Sequence, residues 1–138
     1  MFPATHSASA LLCNRLIVGD RRMAPALCGA LAPDVIDKTL AWVLRITDSS
    51  HSVAHSAAAG VALSVAARAV FGADGARSFA SAYVLHLVED EWHHGRVRWL
   101  FPLSHATRRP KGAARSGWPL ALEIPAAVVL LALLRARK

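Results

Sequence analysis

The residues of this chain that are best suited to chemistry are a few acids and histidines placed within apolar segments. The 138 residues include nine acidic side chains and seven histidines. Most of these gather in or beside short windows of the sequence. The members of this group are Asp34, Asp37, Glu89, Asp90 and Glu91, together with His51, His55, His86, His93 and His94. Because an ionised group in an apolar setting is costly unless it is paired or binds a cation, this placement indicates a site.

Two pairs in this group have the spacing of neighbours on one helix face. Asp34 and Asp37 are three residues apart, and His86 and Asp90 are four residues apart, so each pair shares a face if its segment is helical. Helical bundles hold metal ions with carboxylate and imidazole groups at this one-turn spacing. The pattern predicts a divalent metal, with zinc as the first choice from the mixed ligands and manganese or iron behind it.

Each pair also has a purely structural interpretation. His51 and His55 form a further pair four residues apart, but such a pair often arises by chance. The two aspartates could cap a helix N-terminus, where negative charge is favourable, and His86 could simply form a hydrogen bond with Asp90. Glu89 points to another face and is expected to be solvated. Three such pairs in one small apolar chain still favour a site over coincidence.

A metal in this setting would supply hydrolytic chemistry. A catalytic zinc has three protein ligands and keeps one position open for water. The metal lowers the pKa of that water to about 7, which yields a nucleophile at neutral pH. A spare carboxylate could then act as general base or orient a ligand histidine.

The elements that position these residues are predicted to be helices. Hydrophobic residues make up 54% of the chain and charged residues 18%, which excludes a disordered protein. Strand-like alternation is absent from the sequence. The two cysteines, Cys13 and Cys28, are too far apart for a disulfide-rich scaffold or a thiolate zinc finger. We expect one domain over residues 1–138, an all-α, small membrane-associated bundle of four to six helices.

Helix start and stop signals divide the chain. Pro33 suits the first turn of a helix, which predicts a break near Ala32. The segment Thr47–Ser50 contains residues that favour an N-cap, and Gly72–Gly75 and Gly95 are stop signals. The predicted helices cover about 8–18, 34–46, 51–71, 78–94 and 118–134.

Two segments are long enough to cross a membrane. A crossing needs about 20 apolar residues, and segments 53–71 and 118–134 approach this length. These segments predict a membrane protein that is multi-pass or embedded, with membrane lipid as a partner. The sequence also leaves a monotopic or soluble helical form open.

The net charge of +7 comes from short basic runs beside apolar segments. This pattern favours membrane anchoring over groove binding, and no nucleic-acid-binding motif is visible, so nucleic acid is disfavoured as a partner. Arg96, Arg98 and Arg108 could neutralise an anionic small-molecule or lipid-like substrate.

Four stretches carry a resemblance to a known family. They are Thr5-His6, the segment GALAPDVIDK at 29–38, Ala54-His55-Ser56, and YVLHLVED at 83–90, followed by LFPLS at 100–104. In order and rough spacing they are similar to motifs of the membrane-bound, metal-dependent hydrolases, also described as LexA-binding, inner-membrane-associated hydrolases. The resemblance covers about residues 5–104, and the basic linker 105–117 and the apolar helix 118–134 lie outside it.

The resemblance implies a set of metal ligands. They are His6, Asp34, Asp37, His55, His86 and Asp90. Among them we expect Asp37 and Asp90 to take the catalytic roles. His51 falls where many members have arginine in H-R-G-x-T-H-S, so it is a secondary candidate.

The combined expectation is a membrane-bound, metal-dependent hydrolase acting on an ester or phosphoester at the membrane surface. One alternative is a non-catalytic, membrane-anchored helical protein with a structural metal site. A second alternative is an ion- or proton-conducting or adaptor subunit, in which intramembrane histidines and aspartates form a path.

Overall fold

The computed structural model describes residues 3–19, 22–47, 52–93, 95, 97–107 and 118–135, without the side chains of 118–122. Over these ranges the regular structure is helical and no strand occurs, which confirms the all-α prediction. The helices are α1 (Pro3–Cys13), α2 (Met23–Lys38), α3 (Ala57–His93) and α4 (Trp118–Arg135), with π-helical turns at Asn14–Val18 and Thr39–Val43.

Helix α1 begins at Pro3, five residues before the predicted start at Ala8. Proline is tolerated in a first turn because its missing N–H would have no partner there. The backbone N–H and the hydroxyl of Thr5 both donate to Glu123 of α4, at 3.1 and 2.6 Å. A carboxylate that is distant in sequence therefore accepts hydrogen bonds from the first turn of α1.

Helix α2 runs through Pro33 without interruption, so the predicted break near Ala32 is wrong. Its buried side follows helical periodicity. That side contains Ala26, Gly29, Ala30, Pro33, Asp34 and Asp37. A side chain at Gly29 would overlap the backbone carbonyl of Phe79, so α2 and α3 are in close backbone contact. Packing along this whole face outweighs the local cost of a proline inside the helix.

Helix α3 is divided at Gly72, where φ is 74° and ψ is −178°. Only glycine adopts this conformation readily, and it interrupts the helix as the glycine stop signal predicts. Residues of the two halves then pack on each other, with Ala67 and Tyr83 in one buried cluster. The C-terminal end also follows the prediction, because Gly95 has φ of 60° and its N–H bonds to the carbonyl of Glu91 at 2.9 Å.

Helix α3 starts at Ala57 rather than at the predicted His51. The hydroxyl of Ser56 accepts a hydrogen bond from the N–H of Ala59 at 3.2 Å and so caps the helix. Residues 52–56 form a bend instead of a helical turn, because their backbone N–H groups donate to a carboxylate of α2, as described below.

Helix α4 packs along α1 and also contacts the π-helical turn that follows α1. Besides the Glu123 contact, the Arg15 guanidinium donates to the carbonyl of Leu133 at 3.0 Å. Leu130 and Leu133 also pack against a buried cluster that includes Leu11. The predicted apolar helix 118–134 is therefore helical and is part of the bundle.

Apolar side chains remain exposed on much of the surface. Val61, Val65 and Val70 of α3 are 67%, 68% and 75% exposed. In the part of the chain that the structure describes, α3 is the single helix with the length and apolar composition of a membrane span. A multi-pass arrangement therefore stays a prediction, while an apolar surface suited to lipid is observed.

Candidate metal centre

Four buried side chains from separate parts of the chain converge on one point. They are Asp34 of α2, His55 of the 52–56 bend, and His86 and Asp90 of α3. Each offers one ligand atom, and these atoms all lie within 4.8 Å of one another. Asp34 is 6% exposed, and the other three are at most 1% exposed. We call this group the four-residue cluster.

The distances within the cluster have the dimensions of a metal site. His55 Nε2 lies 3.3 Å from His86 Nε2 and 3.3 Å from Asp90 Oδ2. His86 Nε2 lies 3.6 Å from Asp90 Oδ2, and His55 Nε2 lies 3.7 Å from Asp34 Oδ1. In a tetrahedral zinc site with metal–ligand bonds of about 2.0–2.1 Å, neighbouring ligand atoms are about 3.3 Å apart. This buried Asp/His/His/Asp group could therefore bind a metal ion.

The helix periodicity and one ordered bend explain how the cluster assembles. His86 and Asp90 are one turn apart on the buried face of α3, and Asp34 lies on the buried face of α2. His55 is fixed from outside the helices: its carbonyl accepts from the N–H of Arg98 at 3.0 Å. The Tyr83 hydroxyl donates to the carbonyl of the preceding residue, Ala54.

Asp37 lies behind His55, outside the four-residue cluster. Its fully buried carboxylate accepts from the backbone N–H groups of Ser52, Ala54 and His55 at 2.6, 2.9 and 3.2 Å. It also accepts from the Ser52 hydroxyl at 3.0 Å, and it lies 2.7 Å from His55 Nδ1. A carboxylate on Nδ1 directs Nε2 of the same ring towards a metal, as in many metalloproteins.

The same contacts set the charge state of the pair. Burial lowers the pKa of His55, but the hydrogen bonds to Asp37 and Asp90 outweigh it and raise the pKa to about 9. Burial raises the pKa of Asp37, but the hydrogen bonds from His55 and the backbone outweigh it and lower the pKa to about 2. Without metal, His55 is therefore protonated at neutral pH, and a metal would have to displace that proton.

His6 of α1 borders the cluster on the other side of Asp90. Its Nε2 lies 3.4 Å from Asp90 Oδ1, and its ring centroid is 3.9 Å from that of His86. Among the described residues, His6 Nε2 is a buried nitrogen without a hydrogen-bond partner. His6 Nδ1 lies 2.6 Å from Glu89 Oε2. Two of the histidines, His6 and His55, thus have a carboxylate behind the ring.

Sequence reasoning missed two polar partners of these residues. Glu89, expected to be solvated, is 16% exposed and contacts His6. Lys38 donates to Asp34 Oδ2 at 2.6 Å. Lys38 follows Asp34 by four residues on a helix. This spacing could have identified their ion pair from the sequence.

Among the described residues, the other histidines and the arginines are not members of the four-residue cluster. His93 is at the end of α3, and His105 contacts the ring of Phe101. Arg98 contributes its backbone N–H near the site. His51, His94, Arg96 and Arg108 lie outside the described residues, as does most of the 105–117 linker.

Together, the helical fold, the exposed apolar surface and the buried cluster define a small helical membrane protein with a candidate metal centre. A family model described as YdjM inner membrane protein matches residues 1–137. The chain therefore belongs to the YdjM inner membrane protein family, which agrees with the predicted membrane location. No curated protein and no solved structure matches the chain.

Proposed function

We propose that this protein is a membrane-embedded, metal-dependent hydrolase whose cation is bound at the four-residue cluster. The observation that carries the proposal is the pair of imidazole nitrogens, His55 Nε2 and His86 Nε2, which face each other at 3.3 Å. Both also face one buried carboxylate oxygen of Asp90, at 3.3 and 3.6 Å. These separations match those between neighbouring ligand atoms of a tetrahedral metal ion, so a cation that displaces the His55 proton would fit among these three atoms.

The charge balance supports a cation with more than one charge. Three carboxylates, Asp34, Asp37 and Asp90, lie buried around His55. The Lys38 ammonium contacts one of them, Asp34. Buried charges are costly unless they are paired, and metal binding would remove the His55 proton, so a divalent ion would compensate the two remaining acids, Asp37 and Asp90. His6 Nε2, which lies 3.4 Å from Asp90 Oδ1, is a further nitrogen that could bind the ion.

The side chains divide into ligands and supporting groups. His55, His86 and Asp90 would hold the cation, and His6 is placed to join them. When bound, a divalent ion acts as a Lewis acid and lowers the pKa of a coordinated water. Asp34 lies at the edge of the cluster. Its Oδ1 could accept a proton from that water as the water attacks the substrate.

This proposal changes the predicted catalytic assignment. Asp37 and Asp90 were expected to act in catalysis. Because the Asp37 carboxylate already accepts hydrogen bonds from the 52–55 segment, its proposed role is to orient His55. Asp90 is proposed as a ligand and Asp34 as the base. An ester or phosphoester at the membrane surface remains the proposed substrate.

A structural metal is the second candidate function. Four buried residues could fill all four positions of a tetrahedral ion, and closed coordination of this kind is typical of a structural site. In that case Asp34 would be a fourth ligand and no position would remain for water. The two candidates therefore differ in the role of Asp34.

Elemental analysis of the protein purified in detergent tests the site itself. We expect one or two metal ions per chain in the wild type and loss of metal in both His86→Ala and Asp90→Asn. His105→Ala is the matched control, because this histidine lies outside the cluster, and it should retain the metal. Wild-type protein that binds no zinc, manganese or iron would refute the site.

A measurement of catalytic turnover then distinguishes a metal-dependent hydrolase from a protein whose metal is structural. Metal-loaded wild type should hydrolyse a generic phosphoester such as p-nitrophenyl phosphate, and Asp34→Asn should lose most of this activity while retaining metal. Metal binding without turnover, accompanied by loss of metal in Asp34→Asn, would instead support the structural site.

A further inference from the structure

One cavity opens beside the metal centre, and its wall is charged in one part and apolar in the other. It measures about 460 Å³, and both Asp34 and Lys38 lie in its wall. The remaining wall is mostly apolar and includes Trp42 and Val43, which are 67% and 73% exposed. The cavity therefore joins the edge of the cluster to an exposed apolar surface.

A second cavity continues this surface along α2. It measures about 530 Å³ and shares Leu31 and Val35 with the first cavity. Its wall contains no charged residue and includes Leu63 and Phe71 of α3. Together the two cavities form a surface that carries the Lys38–Asp34 ion pair at one end and is apolar along the rest.

Lys38 is the group that could recognise a ligand at the charged end. An ammonium group has three N–H donors. Lys38 contacts the Asp34 carboxylate at 2.6 Å, and its side chain is 29% exposed. It therefore retains donors for an anionic oxygen, and a charge-assisted hydrogen bond of this kind is among the stronger ones.

We propose that the two cavities bind a single-chain phosphate ester, with its phosphate on Lys38 and its alkyl chain along Leu31 and Val35. This inference deepens the proposed function, on which it rests, by naming an anionic amphiphile as the substrate class. A wholly polar phosphate would leave the apolar wall uncovered, and a neutral chain would leave the remaining N–H donors of Lys38 without a ligand oxygen. The exposed Trp42 and Val43 allow entry from the lipid side.

The pairing of Lys38 with Asp34 connects this site to the metal centre. Asp34 accepts from Lys38 through Oδ2, and its Oδ1 lies 3.7 Å from His55 Nε2. A phosphate held by Lys38 therefore lies next to the carboxylate proposed as the base. The ester group reaches the centre while the chain remains in the apolar cavities.

Binding to metal-free protein tests the inference independently of catalysis. The full chain, stripped of metal with a chelator and placed in neutral phosphatidylcholine nanodiscs, is titrated with decyl phosphate carrying a bromine on its chain. Bromine quenches nearby tryptophan, so we expect saturable quenching that is largely lost in Trp42→Phe. Neutral bromodecanol, read by its own quenching, and inorganic phosphate, read by its ability to compete with the brominated ester, are the comparison probes, and both should bind at least tenfold more weakly.

Substitutions at the charged end complete the test. Lys38→Gln should raise the dissociation constant for the phosphate ester about tenfold, the effect of losing one hydrogen bond to a charged group. Lys38→Arg should restore binding, which excludes a folding defect. Arg68→Gln is the matched control, because Arg68 lines a different cavity, between the two halves of α3.

Three results would overturn the inference. They are equal binding of decyl phosphate and bromodecanol, equal binding of decyl phosphate and inorganic phosphate, and unchanged affinity in Lys38→Gln. Because the titration contains no metal, a failed metal assay would refute the proposed function without altering this result.

Discussion

Replacing Asp37 by asparagine tests whether this carboxylate orients His55 or binds the metal directly. The change preserves size but removes the charge and converts one acceptor oxygen into an N–H donor. In the folded protein, Oδ2 faces His55 Nδ1 and the N–H groups of Ser52 and His55, and Oδ1 faces the Ser52 hydroxyl and the Ala54 N–H. Either orientation of the amide leaves at least one buried donor facing another donor.

The expected magnitude follows from these contacts. An unsatisfied buried donor costs about 1–3 kcal/mol, and hydrogen bonds to a charged group are worth about 1.5–3 kcal/mol each. We therefore expect Asp37→Asn to lower the free energy of unfolding of the metal-free protein by roughly 3 kcal/mol. Loss of a carboxylate behind a ligand histidine typically lowers metal affinity about 10–100-fold.

Competition with a chromophoric zinc chelator measures the affinity, and thermal unfolding of the detergent-purified protein measures stability. Asp37→Asn should retain a weakened site, whereas Asp90→Asn should abolish it. Asp74→Asn is the matched control, because Asp74 is 70% exposed on its side chain and pairs with Arg77 away from the cluster. This variant should match the wild type in both measurements.

Two outcomes would refute this reasoning. Affinity within twofold of the wild type would show that His55 needs no orientation by Asp37. Complete loss of metal in Asp37→Asn, equal to that in Asp90→Asn, would show that Asp37 is itself a ligand, as the family resemblance implies.

Further predictions concern pH, packing and the second carboxylate–histidine pair. The raised pKa of His55, about 9 against an ordinary 6.5, stabilises the metal-free fold; this contribution is complete below pH 6.5 and is lost as pH rises through about 9, which a series of melting curves checks. Across the same window zinc affinity should rise with pH, because binding displaces the His55 proton. Gly29→Ala should destabilise the protein by about 1–3 kcal/mol in denaturant titrations, since the added methyl overlaps the carbonyl of Phe79. Glu89→Gln should weaken metal binding about tenfold if His6 is a ligand, because Glu89 orients that ring.

Each of these predictions has an opposing result. A melting temperature for the metal-free protein that is constant from pH 6.5 to 9 would contradict the charge assigned to His55. Unchanged stability in Gly29→Ala would mean that α2 and α3 are not in close backbone contact at Gly29. Unchanged zinc affinity in Glu89→Gln would exclude His6 from the coordination.

Local sequence determined the helical class and the groups that share a helix face. The one-turn spacing of His86 and Asp90 placed both on the buried face of α3, because residues four apart on a helix are neighbours wherever the helix lies. The glycine at 72 likewise ended a helix through its own backbone preference. Signals of this kind depend on a few adjacent residues.

Tertiary packing overrode local signals where distant surfaces met. Pro33 predicted a break, yet α2 continues because its whole buried face packs on α3. The N-cap residues 47–50 predicted a helix from His51, yet α3 begins at Ala57, because the backbone of 52–55 donates to Asp37 instead of forming a helical turn.

The roles of the acids and histidines were decided by tertiary structure. Sequence spacing identified Asp34 and Asp37 as a pair, but it could not show that one faces the cluster and the other supports the ring of His55. That difference arises because His55 is 31 residues from His86 in sequence and 3.3 Å from it in space. Helical periodicity fixes only which side chains share a face, whereas the packing of separate elements decides which oxygen meets which nitrogen.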